Sequence, residues 1–315
     1  MKRTFIKDIR AGDKLKEIFL VSEKSLAYSQ KGLPYLNIKL KDKSGEISAK
    51  VWENALEIDN ACQKGELALV TCWASAYRGM TQLTIVEMKK VPIEEVALED
   101  FFPTIKGNIE EMYAELLAFA DSIEDGFLRE LLHRFLDDEQ IAKSFKRSPA
   151  AKAMHHTALG GLLEHTLAVT RILAELARLY PDLRRDLLIS GGILHDIGKI
   201  KELSAAALVD YTTEGRLIGH VVIGLEMLDE KLALLENFPP PLAIELRHIL
   251  LSHHGEFEFG SPKRPKTKEA LLIHQVDDLD AKLSAFDEHI EGDNSDSEWT
   301  TYHRLLERYL YKGSD

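Results

Sequence analysis

The apolar positions of this chain change period about a third of the way along. Between residues 14 and 92 they alternate. Tyr35-Leu36-Asn37-Ile38-Lys39-Leu40-Lys41-Asp42 and Ile47-Ser48-Ala49-Lys50-Val51-Trp52 put every second side chain on one face, which is the period of a half-buried strand. Lys43-Ser44-Gly45-Glu46 between them has hairpin-turn chemistry. Leu67 to Trp73 and Gln82 to Val86 predict further strands, parted by a turn at Arg78-Gly79-Met80. Five short strands in about 80 residues suit a small β-barrel. From Ile109 the period is helical to the end of the chain, first over Ile109 to Asp121 and then over Phe127 to Leu136. The expected fold is therefore multidomain: a small barrel over residues 1–92, a connector and helix over 93–125, and an all-α domain over 126–315.

The helical part carries histidines and aspartates where leucines would be expected. After Gly160-Gly161, the run Leu162, His165, Val169, Ile172, Leu176 marks one helix face, so His165 points where the leucines point. Leu188 and Gly191 precede His195 by seven and four residues, which turns His195 inward, and Gly198 is placed to stop that helix. Ile218-Gly219-His220 follows. Leu242, Leu246, Ile249, Leu250 and His253 repeat the inward pattern, with His254 beside it and Gly255 as terminator. On the stripe Ile273, Val276, Asp277, Asp280 two carboxylates land on a buried face, and both have ligand spacing. A single inward histidine is usually a satisfied core residue. Five such stretches are not, because unpaired buried carboxylates and imidazoles are costly. Neutral imidazole and carboxylate are ligands of divalent Mn, Fe, Co, Ni or Zn, and a metal is the partner common to all of them.

These residues carry a resemblance. The adjacent His195-Asp196 resembles the signature of the HD superfamily of metal-dependent phosphohydrolases, and His220 with the His253-His254 doublet resembles its two-metal branch. His155-His156, Gly160-Gly161-Leu162-Leu163-Glu164-His165-Thr166 and the run from Gly255 to Pro265 are similar to the YhaM-type 3′-to-5′ exoribonucleases, which join an N-terminal OB-fold to an HD domain. The likeness covers essentially the whole chain. It implies two divalent ions, with Mn²⁺ the foremost expectation. His165, His195, Asp196 and the helix aspartate, preferably Asp277, would hold one. Asp196 would bridge to a second on His220, His253 and His254. Two such ions clamp the oxygens of an in-line displacement at phosphorus and make water acidic enough to attack near neutrality. Lys199 would meet the scissile phosphate as a point charge, and His156 the substrate or the leaving 3′ oxygen.

Composition narrows the rest. Apolar content of 45% and charged content of 29% are those of a globular protein. The net charge of −12 is uneven: residues 1–92 carry 16 Lys+Arg against 11 Asp+Glu, the remainder 24 against 41. Screening over about 8 Å lets a strand feel the local surface rather than the total. OB-folds stack bases on aromatics above a basic groove. Tyr28, Tyr35, Trp52, Trp73 and Tyr77 are the candidate stacking residues, with Lys39, Lys41, Lys50 and Arg78 beside them. In the helical part Lys263, Arg264, Lys266 and Lys268 lie in the Pro-containing loop between the doublet and the last ligand helix.

The expected partner is single-stranded RNA or DNA, with a homo-oligomer left open. Met1 to Asp8 has no apolar core of a signal peptide, no apolar span reaches a membrane helix, and Cys62 and Cys72 form no Cys-x-x-Cys pair; the expectation is a cytoplasmic protein with reduced thiols. Glu291 to Ser297 is acidic and apolar-free, which reads as a flexible loop. No P-loop, Gly-x-Ser-x-Gly or Gly-x-Gly-x-x-Gly motif competes. The resemblance implies hydrolysis of RNA, with single-stranded DNA left open, from the 3′ end to nucleoside 5′-monophosphates. The alternatives are a phosphohydrolase of small nucleotides or cyclic dinucleotides, and a non-catalytic nucleic-acid-binding protein with structural metals.

Overall fold

A computed structural model of the chain describes residues 2–102, 104–105, 107–150, 158–204, 210–304 and 306–313. The chain divides into two compact units, Met1–Thr104 with Ala205–Asp210, and Ile105–Ser204 with Tyr211–Asp315.

In the first unit the alternating stretches form β1 (Lys14–Tyr28), β2 (Pro34–Asp42), β3 (Gly45–Val51), β4 (Leu67–Tyr77) and β5 (Met80–Val91). They close in the order β1-β2-β3-β5-β4, the OB-fold barrel. β1 serves two neighbours. Lys14 to Leu20 pairs with β4 and Leu20 to Tyr28 with β2, with a register shift between Val21 and Glu23 at the change. A short parallel pairing of β3 with β5, Ala49 with Leu83 and Lys50 with Thr84, completes the closure. On β2 the period holds as expected: Leu36, Ile38 and Leu40 are buried between half-buried Asn37, Lys39 and Lys41. The β4–β5 turn is Arg78-Gly79, with φ of 51° and 79°, the positive-φ pair that matches hairpin twist. A helix α1 (Ala55–Ala61) between β3 and β4 escapes the sequence pattern, because seven residues are too few for a period to show. It buries Ala55 and Ile58 in the barrel core. The segment after β5 packs with the barrel: Leu98 and Phe101 are buried, and Lys43 N donates to Asp100 O at 3.0 Å.

The second unit holds α2 (Ile109–Asp121), α3 (Gly126–Leu136), α4 (Glu139–Arg147), α5 (Gly161–Leu179), α6 (Arg185–Leu194), α7 (Lys199–Glu202), α8 (Thr213–Leu217), α9 (His220–Leu232), α10 (Pro240–Ser252) and α11 (Lys268–Gly292). Asn108, Asp125 and Asp138 start α2, α3 and α4 by accepting from backbone N–H groups of the first turn. α6 is buried along most of its length and packs on α5, α10 and α11. Two glycines allow that closeness. A Cβ on Gly191 would lie 2.4 Å from Ile273 Cδ1 of α11, and one on Gly192 2.8 Å from Leu173 Cδ1 of α5. The stretch expected as an acidic loop begins as the end of a helix and continues as a loop organised by one aspartate. α11 runs to Gly292, and Asp293 accepts from Ser295 N at 3.0 Å, Thr301 N at 2.7 Å and Lys312 Nζ at 3.1 Å. Composition reports the missing apolar groups but not the turn one aspartate can organise. No described helix is long and apolar enough to cross a membrane.

Candidate metal centre and nucleic-acid interface

Five helix ends or faces bring the predicted residues of the helical unit together. His165 lies in the second turn of α5, His195 and Asp196 in the turn after α6, and His220 at the first residue of α9. His253 and His254 follow α10, and Asp277 and Asp280 lie on α11. The donor atoms form two groups, each within 4.8 Å throughout: His165, His195, Asp196 and Asp277 in one, His220, His253 and His254 in the other.

Hydrogen bonds behind the rings decide what faces inward. A carbonyl can only accept, so His195 Nδ1 donates to Gly192 O at 2.8 Å and His253 Nδ1 donates to Leu250 O at 2.8 Å. Their Nε2 lone pairs are thereby left to the centre. His165 Nδ1 lies 2.7 Å from the Asp280 carboxylate, and His220 Nδ1 lies 3.0 Å from the Glu202 carboxylate. This also separates the two α11 aspartates. Asp277 Oδ1 is 3.2 Å from His165 Nε2, inside the group, while Asp280 stands behind the ring.

Asp196 joins the groups. Its Oδ2 is 3.5 Å from His165 Nε2 and 3.4 Å from His195 Nε2, and its Oδ1 is 3.6 Å from both His220 Nε2 and His253 Nε2. Asp196 Oδ1, His253 Nε2 and His254 Nδ1 are buried without a hydrogen-bond partner. His165 and His195 Nε2 meet at 3.2 Å. Convergent imidazole nitrogens and carboxylate oxygens, several of them unpartnered, are the surroundings a divalent cation satisfies. The donor set fits a divalent metal in both groups.

Charge in the centre follows the same logic. Burial opposes charge on His165, yet the Asp196, Asp277 and Asp280 carboxylates outweigh it and hold its pKa well above the usual histidine range. Burial pushes His253 and His254 down, leaving the neutral imidazoles that metals take. Asp196 is buried, but Lys199, His195 and His165 hold it well below the usual carboxylate range. Lys199 Nζ donates to Asp196 Oδ2 at 2.6 Å, so the predicted phosphate contact sits against the shared carboxylate. His156, predicted to contact substrate, lies outside the described residues.

The loop after the doublet is pinned to α10: Lys263 N donates to Leu251 O at 3.1 Å, and Ser261 Oγ, which donates to Lys263 O at 2.6 Å, lies 3.2 Å from Leu251 O. The Lys263 side chain is exposed. Arg264 pairs with Glu256 at 2.7 Å and lies 5.0 Å from the Phe257 ring centroid, which spends part of its charge locally.

On the barrel, Tyr35 and Trp52 stack with centroids 5.1 Å apart, and Lys50 Nζ lies 5.0 Å from each ring. β2–β3 pairing sets Leu36 opposite Val51 and Asn37 opposite Lys50, which brings the flanking aromatics side by side. A groove of about 380 Å³ beside them is lined by Lys24, Asn37, Lys39, Lys50, Lys64 and Gln82, among others. Lys39 is paired with Glu23 at 3.0 Å. Tyr28, Trp73 and Tyr77 are exposed, with Arg78 5.4 Å from the Tyr77 centroid.

The HD domain family matches residues 162–282, the stretch holding both groups. The chain is 35% identical over 287 residues to the 3′-5′ exoribonuclease YhaM of Listeria innocua, covering 89% of each. It is 34% identical over 281 residues to that of Bacillus subtilis, covering 89% of this chain and 88% of the relative. The chain belongs to the YhaM family of 3′-5′ exoribonucleases. Among solved structures, the HD domain of the L. monocytogenes phosphodiesterase PgpH is similar at 20% identity and a TM-score of 0.31, covering 46% of this chain and 74% of that one.

Against that family background, two parts of the centre were not visible in the residues. Glu202 has no motif around it, and its place beside His220 exists only because α7 meets α9. Gly198 does not stop a helix by a left-handed turn; its φ is −62°, and a Cβ there would lie 2.0 Å from His220 O. Its smallness lets the His195-Asp196 turn reach His220.

Proposed function

We propose that this chain is a metal-dependent 3′-to-5′ exoribonuclease that hydrolyses single-stranded RNA, with single-stranded DNA as a second substrate, to nucleoside 5′-monophosphates. The observation that carries this reading is Asp196, with one oxygen toward each of two histidine groups. His165, His195, Asp196 and Asp277 would hold one divalent ion; Asp196, His220, His253 and His254 would hold the other, with Mn²⁺ the first candidate. Ions bound there would polarise the phosphoryl oxygens and lower the pKa of water toward neutrality.

The chain's own residues supply the rest. Asp196 holds both groups in register, and Asp280 and Glu202 fix the rings of His165 and His220. Lys199 is within reach of a phosphate oxygen by exchanging its Asp196 contact. Water attack at the last internucleotide phosphorus, with the 3′ oxygen of the penultimate nucleotide leaving, releases the 5′-monophosphate. His156 would return the proton to that oxygen. Lys263 and Arg264 would hold strand phosphates. On the barrel, Tyr35, Trp52, Trp73 and Tyr77 would stack bases, with Lys39, Lys50 and Arg78 at the backbone. A cytoplasmic location agrees with this substrate.

Incubation with Mn²⁺ and end-labelled oligoribonucleotides tests the reading. A 5′-labelled strand should shorten progressively, a 3′-labelled strand should release labelled mononucleotide at once, and a circular RNA should resist. Circular RNA cut as fast as linear would make the protein an endonuclease. Free nucleotides or cyclic dinucleotides consumed with oligonucleotides untouched would make it a small-nucleotide phosphohydrolase.

A further inference from the structure

The two histidine groups are not equal. The first has Asp277 as a carboxylate of its own besides its share of Asp196, and Asp280 backs His165. The second has three imidazoles and only Asp196 Oδ1 as an anionic donor. Two orphaned atoms in the centre, Asp196 Oδ1 and His253 Nε2, face that second group, and a third, His254 Nδ1, lies behind the ring whose Nε2 is 3.2 Å from His220 Nε2. His254 lacks what the other four rings have, a partner behind Nδ1. Its orientation is therefore not set from outside, and the second group depends on His220 and His253 being held.

His253 is held by a main-chain carbonyl on its own helix. His220 is held by Glu202 alone among the described contacts of its ring Nδ1. Glu202 is the last residue of α7 and is buried. Its Oε1 accepts from His220 N at 2.9 Å and lies 3.0 Å from His220 Nδ1, so one oxygen caps α9 and orients the ring. Glu202 is itself locked. Its N donates to Gly198 O at 3.0 Å, its O accepts from Thr212 N at 2.9 Å, and α8 lies so close that a Cβ on Gly215 would be 2.3 Å from that O. A carboxylate behind a ligating imidazole fixes its tautomer and raises its basicity.

We propose that Glu202 is the positioning residue of the second metal group, and that it decides whether that group retains its ion. The proposal rests on the two-ion reading above. The first group, with its own carboxylate, keeps its ion independently of Glu202; Asp280 does there for His165 what Glu202 does for His220. The second ion is the weaker-held one, and α7 packed against α8 fixes the carboxylate that orients His220.

The test uses the full chain, stripped with a chelator and titrated with Mn²⁺ by calorimetry, with bound metal counted by elemental analysis after gel filtration. The wild type should bind two ions, one tighter than the other. Glu202→Gln preserves an oxygen to cap α9 but removes the charge. It should weaken the second ion by about 10–100-fold and leave the first unchanged. Glu202→Asp, with the charge kept but withdrawn by one methylene, should weaken the second ion as well. Asp280→Asn should weaken the first ion instead. If E202Q lowers the melting temperature of the metal-free protein while both ions bind as in the wild type, Glu202 is only a helix cap and the proposal falls. It falls equally if E202Q weakens both ions alike. A wild-type chain that never binds more than one Mn²⁺ overturns the two-ion reading itself, and that titration shows it before any variant is made.

Discussion

The two units bury charge to opposite ends. In the barrel, Lys2 and Asp42 lie 3.4 Å apart with side chains almost wholly inside. Lys2 Nζ also donates to Ile18 O at 2.6 Å and sits 3.7 Å from the Phe19 ring centroid. Asp42 accepts from Ile6 N at 2.9 Å and Ser44 N at 2.8 Å. Every one of these groups is answered by the chain. In the helical unit, buried imidazole and carboxylate atoms remain unanswered, and among the described residues every orphaned side-chain atom lies in that unit. Folding completes the first arrangement; only a bound cation completes the second. Burial alone therefore does not mark a site, but burial with unmet donors or acceptors does. The barrel's proposed strand contacts include the exposed rings of Trp52, Trp73 and Tyr77 instead.

That contrast can be broken at four points. The largest effect is expected at Asp196. Asp196→Ala should abolish hydrolysis and metal loading of at least one group while the circular dichroism of the helices survives; retained activity with two ions per chain would refute the shared-carboxylate reading. Next, Lys2→Ala should cost the barrel about 3 kcal/mol, because Asp42 loses its counter-ion inside the protein. Metal content should not change. A Lys2 variant that melts like the wild type would show the pair to be dispensable.

Third, replacing both Tyr35 and Trp52 by alanine should weaken binding of a long single strand by about 1–3 kcal/mol per stacked base. Hydrolysis of a dinucleotide should be unaffected. Equal losses on both substrates would make the stack a structural prop rather than a strand contact. The smallest effect concerns stability and pH. Asp138 accepts from Lys231 Nζ at 2.9 Å and from Gln140 N and Ile141 N at 3.0 and 3.1 Å, and the Lys231 bond leads the causes that depress its pKa. A depressed carboxylate stabilises fully above its unfolded value and loses that contribution as pH falls through its folded one. Asp138→Ala should cost about 1 kcal/mol at neutral pH. The difference from wild type should close in acid, and a gap that persists at low pH would assign the effect to packing.

Much of the molecule was legible in one dimension because its signals are local. Period-2 alternation places Leu36, Ile38 and Leu40 in a barrel whatever the rest of the chain does, and the helical stripe through His165 or His253 turns the ring inward without reference to any partner. His165, His195, His253 and Asp277 could be read for the same reason, each on an apolar stripe, whereas Asp196, His220 and His254 were read from the resemblance to the HD pattern. α1 was not legible, since its seven residues hold two buried positions and no repeat.

The choice between Asp277 and Asp280 is of another kind. They are three apart on one helix face, so both satisfy the spacing, and only the approach of α11 to α5 puts one among the donor atoms and the other behind His165. Glu202 is the extreme case, an ordinary acidic residue until α7 is laid against the start of α9. Residue type and period determined that this chain has a barrel, a helical unit and a set of buried ligands. Which oxygen faces which ring, and which carboxylate holds a histidine rather than joining it, was decided by helix packing. Such distances are set between segments up to 115 residues apart, and no pattern along the chain encodes them.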